Sequence, residues 1–376
     1  MAYSAHAPEI VPQEAIDDLR RRLRSYRPTA VADAPGWSRG VPPGYLESLV
    51  DYWRSDYDWR AHEDRIRRLP WDTSGASRSS RVIHQRVDPS APTVVLLHGW
   101  PDSVLRFERV LPKLADVNVV VPPLPGYPFA TPVPQGGLAS GEMATVISEL
   151  LDDLGYHRYV LSAGDIGSDV AEAVAAARRD EVAALHLTDV SQLHYLVNAP
   201  EDVSDAERAY YDHGHRWQEA EGGYMHEQST KLWTIAAPLG DSPAGLAAWI
   251  VEKLHGWSDC QGDVESVFSR DEILTWVSAY WFDNCIGTSF SPYAEGADMS
   301  WSRIEAPTAF TVFPKDLVNA PREFAERYFN VQFWREYDRG GHFAAFERPE
   351  DYVAGVRAAL ALAESEDPAG RGLGRS

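Results

Sequence analysis

The 376-residue sequence contains only two cysteines, Cys260 and Cys285, and neither belongs to a CxxC pair. No cluster of histidine and cysteine has the spacing of a structural zinc site. A chain of this length buries enough apolar surface to fold without disulfides or metal ions. The sequence therefore indicates a reducing compartment, and a cytoplasmic location is the simplest expectation.

Long apolar runs and basic residues are also scarce. The N-terminal stretch has no apolar core of the signal-peptide type, and no run approaches the roughly 18 apolar residues of a membrane span. Lysine and arginine number 35 against 56 acidic residues, which gives a formal net charge of -21. Because such a field repels phosphates and anionic lipids, the sequence predicts no nucleic-acid or membrane partner and disfavours strongly anionic substrates. A homodimer is allowed, since nothing in the sequence determines the oligomeric state.

What the sequence does contain is an alternation of strand and helix patterns from about residue 81 onwards. Residues 81–87 and 93–97 are predicted strands, residues 104–114 a helix, and the same alternation continues to about residue 190. Buried apolar strands that alternate with helices predict a mostly parallel, doubly wound α/β sheet. Residues 1–90 are predicted to form a mainly helical N-terminal extension that packs on this core, with its first helix over residues 13–24.

The alternation stops over residues 191–302, which are rich in tryptophan and tyrosine and have helical spacing. It returns over residues 303–365, so residues 91–190 and 303–365 together make the predicted core, and residues 366–376 are a predicted disordered tail. A helical insertion in a parallel sheet is the arrangement of a lid over an active site. Ligands of such sheets bind beyond the carboxyl ends of the strands.

The strongest local signal is the sequence AGDIG at residues 163–167, between a predicted strand and a predicted helix. Small residues on both sides of Asp165 permit a sharp, strained turn that presents its side chain at the top of the sheet. This is the pattern of a nucleophile elbow, with aspartate where esterases carry serine. The simpler alternative is an ordinary strand-to-helix turn in which Asp165 caps the helix.

Chain order favours the elbow. Hydrolases of this fold place the nucleophile, the acid and the histidine in that sequence. Here Asp165 is followed by Asp316, just past a predicted strand, and by His342 in the loop RGGHF after the next strand. A single histidine after glycines is often only a loop residue, but the elbow and the acid favour His342 as the catalytic base. The backbone N–H groups of Ile166 and of Trp100, in the turn HGWP, are expected to form an oxyanion hole.

An aspartate nucleophile restricts the reaction. A carboxylate is already anionic at neutral pH and can displace a leaving group from a saturated carbon, which produces an alkyl ester of the enzyme. Water activated by His342, which Asp316 orients, would hydrolyse that ester. The chemistry needs no metal and no organic cofactor, and its substrates are epoxides or alkyl halides. Because an epoxide leaves as an alkoxide, acidic donors such as tyrosine hydroxyls over the nucleophile would favour the epoxide.

Several long motifs, in order, resemble the microsomal-type epoxide hydrolases of the α/β-hydrolase superfamily. They are HGWP, PGYPFA, the GD turn, the lid segment from GGYMH to WIVEKL, and RGGHFAAFERPE, together with RRLRSYRP and YWRSDYDWR near the N-terminus. The resemblance covers nearly the whole chain. It implies an α/β-hydrolase fold with a helical lid, and hydrolysis of a small-molecule epoxide to a vicinal diol. Since the membrane anchor of many animal relatives is absent, a soluble bacterial member is expected, with secondary metabolism as one setting.

The resemblance also assigns roles to residues. Asp165 matches the nucleophile and His342 the base, while Asp316 falls where the family often has glutamate. Tyr224 in GYMH and Tyr293 in SFSPYAEG match the two lid tyrosines that hydrogen-bond the epoxide oxygen. The resemblance thus implies a five-residue catalytic set with no metal ligand.

One departure concerns Ile166, which stands where relatives commonly have tryptophan. Only its backbone serves the oxyanion, so hydrolysis is expected to survive while the pocket shape and regiochemistry change. A haloalkane dehalogenase with the same nucleophile remains an alternative, although such enzymes typically grip the halide with a tryptophan at this position. A non-catalytic ligand-binding protein on this fold is the third hypothesis.

Overall fold

The computed structural model describes residues 4–74, 80–130, 137–296 and 302–365. Within these ranges one sheet contains eight strands: β1 (Trp71–Thr73), β2 (Arg81–Gln85), β3 (Thr93–Leu97), β4 (Asn118–Val121), β5 (Tyr159–Ala163), β6 (Val182–Leu187), β7 (Ile304–Val312) and β8 (Phe329–Glu336). Their order across the sheet is β1-β2-β4-β3-β5-β6-β7-β8. The predicted tail, residues 366–376, lies outside the described residues.

The strands from β3 to β8 pair in parallel, whereas β1 and β2 are antiparallel to their neighbours. Every residue of β3, β5 and β6 is buried, because helices cover both faces of the sheet. The predicted α/β-hydrolase fold is therefore confirmed. All the parallel strands present their carboxyl ends at one edge of the sheet, which is where a ligand site is expected.

The helices complete the two outer layers and the lid. They are α1 (Gln13–Arg24), α2 (Pro43–Ser55), α3 (Trp59–Arg67), α4 (Ser140–Leu154), α5 (Ile166–Ala177), α6 (Leu193–Leu196), α7 (Asp205–Glu221), α8 (Gly223–Thr230), α9 (Leu232–Asp241), α10 (Pro243–Trp257), α11 (Arg270–Asp283), α12 (Ser291–Glu295), α13 (Arg322–Tyr328), α14 (Ala344–Glu347) and α15 (Pro349–Ser365). Among the described residues, none of these helices has both the length and the apolar character that crossing a membrane requires.

Two local predictions differ from the structure. The helix expected over residues 104–114 is instead a pair of short 3₁₀ segments, Val104–Phe107 and Leu111–Leu114. Pro112 explains the interruption, because a proline inside a helix removes a backbone hydrogen bond and clashes with the preceding turn. The N-terminal extension is helical in α1 to α3, and the strand predicted over residues 81–87 is β2. Strand β1, which was not predicted, adds a further strand at the edge of the sheet.

The N-terminal helices contact the lid as well as the core. The guanidinium of Arg22 on α1 donates to the Asp241 carboxylate at 2.7 Å. Deeper in this interface, the hydroxyls of Tyr57 and Thr275 are 3.1 Å apart in a buried hydrogen bond between the α3 region and α11. The first segment of the chain therefore contacts lid helices α9 and α11.

Candidate active site

The turn between β5 and α5 has the strained backbone of a nucleophile elbow. Asp165 has φ 58° and ψ −135°, a conformation that side-chain-bearing residues rarely adopt. Glycines allow the close contacts that this turn demands. A Cβ on Gly167 would lie 2.6 Å from the carbonyl oxygens of Leu97 and His98, and one on Gly99 would lie 2.4 Å from Oδ1 of Asp165. The AGDIG pattern is thus explained by the space available around the turn.

The two carboxylate oxygens of Asp165 face different partners. The backbone N–H of Trp100 donates to Oδ1 at 2.8 Å, and the backbone N–H of Ile166 also hydrogen-bonds the carboxylate. Oδ2 lies 3.5 Å from Nε2 of His342. One oxygen is therefore held by an expected oxyanion donor, while the other faces the imidazole.

Loops after β7 and β8 bring Asp316 and His342 together. Nδ1 of His342 is 2.7 Å from Oδ1 of Asp316, so the imidazole donates from Nδ1 and turns Nε2 towards Asp165. The main chain of His342 is fixed as well. Its N–H donates to the carbonyl of Trp257 at 2.8 Å, and its carbonyl accepts from Arg106 at 2.6 Å. The three side chains predicted as a triad meet at the carboxyl edge of the sheet.

Charges in this buried group compensate one another. Burial disfavours the imidazolium, but the carboxylates of Asp316 and Asp165 outweigh burial and raise the pKa of His342 to about 9. Burial also raises the pKa of Asp165, and the imidazolium of His342 acts in the opposite direction. In the free protein at neutral pH, His342 is therefore the protonated partner of the two carboxylates.

The lid supplies Tyr224, on α8, and Tyr293, on α12, to the space over Asp165. Their ring centroids are 5.9 Å apart, and a hydrogen bond links the two phenols. The Tyr224 ring stacks on Trp100 with a centroid distance of 5.2 Å and an interplanar angle of 5°. Burial, together with the charge of Asp165, raises the pKa of both tyrosines well above the ordinary value. Both hydroxyls are therefore neutral and able to donate hydrogen bonds.

These groups share a cavity of about 270 Å³. Its polar lining includes Asp165, Asp169, Asp189, Asp316, Tyr224 and Tyr293, and its apolar lining includes Ile166, Leu193, Leu196, Val197, Met225 and Val318. Among the described residues that line it there is no lysine or arginine. A cavity with this lining suits an uncharged, partly apolar substrate and repels an anionic one. A larger cavity, of about 890 Å³, lies between residues 22–46 and 241–248 and contains none of the predicted site residues.

Two residues near the site were not singled out from the sequence. Asp189 follows β6 and accepts hydrogen bonds from the backbone N–H of Asp165 at 3.1 Å and from the hydroxyl of Ser168 at 2.6 Å. Burial, with repulsion by Asp316 and Asp165, raises the pKa of Asp189 to about 7. The one feature of the sequence that points to Asp189 is its position after a central strand of the sheet, where ligand sites lie. The other is Arg106, which binds the carbonyl of His342.

His98 of HGWP makes hydrogen bonds that join two turns. Its Nε2 accepts from the backbone N–H of Leu124 at 3.0 Å, and its Nδ1 lies 3.0 Å from the carbonyl of Gly99. These bonds tie the turn after β3 to the turn after β4.

A potential metal-ligand group in the described part of the chain lies outside the cavity. It comprises Asp152, His157 and Glu181 at the surface. The guanidinium of Arg178 already bonds the carboxylates of Asp152 at 2.7 Å and Glu181 at 2.9 Å. Because this cation compensates both acids, the group does not favour a metal ion.

Comparison with known proteins gives consistent matches along the chain. Residues 7–107 match the family described as epoxide hydrolase N terminus, and residues 92–227 match the α/β hydrolase fold. A Stigmatella aurantiaca protein named "Putative epoxide hydrolase" is 36% identical over 364 residues, which cover 92% of this chain and 82% of that protein. "Epoxide hydrolase 1" of Sus scrofa is 29% identical, with coverage of 94% and 87%.

Solved structures give the same result. An Aspergillus niger epoxide hydrolase superposes with a TM-score of 0.80 at 28% identity, over 95% of this chain and 99% of that one. The juvenile hormone epoxide hydrolase of Bombyx mori superposes with a TM-score of 0.85 at 24% identity, over 97% and 96% of the two chains. At that identity the second likeness shows the fold alone.

Proposed function

Since this chain belongs to the epoxide hydrolase family, as its motifs predicted, we propose that it opens the epoxide through a covalent ester on Asp165. The protein is an enzyme that hydrolyses epoxides. The observation that carries the residue assignment is the unequal environment of the Asp165 carboxylate. Oδ1 is held by the Trp100 backbone N–H, while Oδ2 faces Nε2 of His342.

In the first step, Oδ2 of Asp165 attacks a ring carbon of the epoxide. The new carbon–oxygen bond forms as the ring carbon–oxygen bond breaks, and the electron pair of that bond moves to the ring oxygen. Tyr224 and Tyr293, which are neutral and line the same cavity, donate hydrogen bonds or a proton to this oxygen. The product of the step is an ester between Asp165 and the opened substrate.

Ester formation prepares His342 for the second step. Asp165 loses its charge when it is alkylated, and one of the two carboxylates that raise the pKa of His342 is thereby removed. The imidazolium can then give up its proton, which restores the tyrosine that protonated the ring oxygen. The neutral imidazole takes a proton from water at Nε2, while Nδ1 keeps its bond to Asp316. Water attacks the carbonyl carbon of Asp165, and the N–H groups of Trp100 and Ile166 stabilise the developing oxyanion. The ester carbon–oxygen bond then breaks, and the departing oxygen takes the proton from His342 to give the diol. The new carboxyl group passes its proton to His342, which restores the carboxylate and the imidazolium.

The lining of the cavity favours an epoxide over an alkyl halide. Ile166 has no side-chain N–H with which to grip a halide, whereas two phenols suit a developing alkoxide. The intact hydrogen bond between His342 and Asp316 favours turnover over simple ligand binding. These features favour epoxide hydrolysis over dehalogenation and over ligand binding without turnover.

A direct test incubates the enzyme separately with styrene oxide and with 1-bromobutane and measures diol and bromide. We expect diol from the epoxide, no bromide above the buffer rate, and no diol from Asp165→Ala. Release of bromide without diol formation would overturn the assignment. The exposed acid Asp180, altered as Asp180→Asn, supplies a control for the loss of one carboxylate.

We also propose a cellular location and a class of partner for the enzyme. Both cysteines are free thiols and both are buried, and the formal net charge is -21. These features support a cytoplasmic enzyme whose partner is a small epoxide, with neither nucleic acid nor membrane. Light scattering distinguishes a 41.9 kDa monomer from the homodimer that the sequence allows.

A further inference from the structure

The lid contains a buried lysine that the ester chemistry does not use. Lys253 lies on α10, and its side chain is 6% exposed. Its ammonium nitrogen is 4.6 Å from the ring centroid of Tyr224 and 5.5 Å from that of Trp257. It also lies 2.5 Å from Oε2 of Glu252. The cation is therefore packed against aromatic faces rather than extended into solvent.

A buried ammonium is costly unless other groups compensate its charge. The faces of aromatic rings carry partial negative charge, so Tyr224 and Trp257 attract this cation. Lys253 does not line the cavity and cannot touch the substrate. Because the Tyr224 ring also stacks on Trp100, any influence of the cation passes through a ring whose position is fixed.

We propose that Lys253 is a positioning residue that strengthens Tyr224 as the hydrogen-bond donor to the epoxide oxygen. The inference rests on the donor role proposed for Tyr224. As the ring carbon–oxygen bond breaks, its electron pair moves to the oxygen, and Tyr224 shares or gives up its proton. Negative charge then grows on the phenol oxygen and its ring. The ammonium 4.6 Å from the ring centroid stabilises that charge.

Other charged and polar groups also act on the phenol of Tyr224. Asp165 and Glu252 both disfavour negative charge on the phenol, whereas the hydrogen bond from Tyr293 favours it. Lys253 offsets the carboxylates, and its contact with Glu252 reduces the influence of that acid. The effect belongs to ring opening alone, since the hydrolysis of the ester involves no charge on Tyr224.

The test separates the two steps. Ring opening is followed as ester formation in the His342→Gln background, by rapid quenching and mass measurement of the intact protein after addition of styrene oxide. We expect Lys253→Met to slow ester formation about three-fold, which is less than the loss of the Tyr224 hydroxyl itself would cause. In enzyme with His342 intact, hydrolysis of the preformed ester should be unchanged. Lys253→Arg keeps the cation and should restore most of the rate. Lys231→Met, which removes an exposed lid lysine, should have no effect.

Controls make each outcome decisive. Thermal melting verifies folding, and Lys253→Gln replaces Lys253→Met if the latter unfolds. Normal ester formation in Lys253→Met, with slow formation in Tyr224→Phe, would overturn the inference and leave the proposed function intact. Equal slowing of both steps, or no rescue by Lys253→Arg, would also overturn it, because a purely structural role predicts that result. Normal ester formation in Tyr224→Phe would instead refute the proposed donor itself.

Discussion

The core wall of the active site, which comprises Asp165, His342 and Asp316, is held by hydrogen bonds, whereas the lid wall, which comprises Tyr224 and Tyr293, is held mainly by ring packing. On the core wall, the bonds between Trp100 and Asp165 and between His342 and Asp316 measure 2.8 and 2.7 Å. On the lid wall, ring centroids 5.2 to 5.9 Å apart set the positions.

The difference follows from the elements that build each wall. Parallel strands end at one edge of a sheet, so short loops after β5, β7 and β8 bring their polar residues together with little freedom. Lid helices have no such common edge, and aromatic rings fill the space between them. We therefore expect core-wall variants to abolish a chemical step and lid-wall variants to slow one.

The largest effect is expected from His342→Gln, which removes the base and leaves the nucleophile. Steady turnover should fall roughly 10³-fold or more, because general base catalysis of ester hydrolysis is lost. The first turnover should still form the ester, which intact mass would show as one added substrate per protein. Loss of that stoichiometric adduct in a folded variant would mean that the core wall does not divide its roles in this way.

The lid wall should respond less strongly and in a graded way. Tyr224→Phe and Tyr293→Phe should each slow ester formation roughly 10-fold, because the remaining phenol still donates to the oxygen. The double variant should lose at least 10²-fold. Rapid-quench measurement of ester formation checks both values. If either single variant is as inactive as the double variant, the two tyrosines act as one unit. Loss of one lid residue would then nearly abolish a chemical step, as we expect only for the core wall.

A smaller effect concerns stability and involves Asp189, which lies beside the core wall and accepts from the backbone N–H of Asp165. The pKa of Asp189 is raised to about 7 in the folded protein, against about 3.9 in an unfolded chain. A raised pKa means that its contribution to stability is full below about pH 4 and is lost as the pH rises through 7. Asp189→Asn cannot titrate and escapes this loss, which is on the order of 4 kcal/mol for a pKa difference of about 3.

The measurement for Asp189 is urea unfolding of both proteins at pH 5 and pH 8. The variant should gain stability relative to the wild type at the higher pH, whereas the exposed control Asp180→Asn should show no such trend. An advantage for the variant that shrinks between pH 5 and pH 8 would mean that ionisation of Asp189 does not destabilise the fold.

The smallest change in rate is expected from Ile166→Trp, at the junction of the two walls. Because only the backbone N–H of this residue serves the oxyanion, activity should stay within about ten-fold. The side chain lines the cavity, so the ratio of attack at the two ring carbons should change. Heavy-oxygen labelling of the diol reports that ratio. A complete loss of activity in a folded variant would contradict a backbone-only role.

Much of the core wall could be predicted from local sequence. Helix α1 and strand β3 were predicted with their observed bounds. The glycines around Asp165 indicated a strained turn, and the structure has one. Chain order then selected Asp316 and His342, because the carboxyl ends of the strands converge in any parallel sheet. The helix predicted over residues 104–114 was wrong, since the apolar spacing concealed the effect of Pro112.

The lid wall, together with Asp189 and Lys253, was harder to predict from the sequence. Tyr224 and Tyr293 were found by family resemblance alone, because nothing in the local helix pattern separates a donor from a packing tyrosine. Asp189 carries no distinctive local pattern, since an aspartate after a strand is common. The packing of Lys253 against Tyr224 joins helices α8 and α10 and depends on tertiary structure. Local spacing fixes which residues share a face, but not which faces meet.

The central claim is that an oxygen atom of Asp165 becomes bonded to the substrate. Several turnovers of wild-type enzyme in heavy-oxygen water, followed by digestion and mass measurement of the peptide that contains Asp165, test it directly. If water attacks the carbonyl carbon of the ester, heavy oxygen should enter this carboxyl group and increase in the peptide with each cycle. Diol formation with no label in that peptide would contradict the account, because water would then have attacked the epoxide itself.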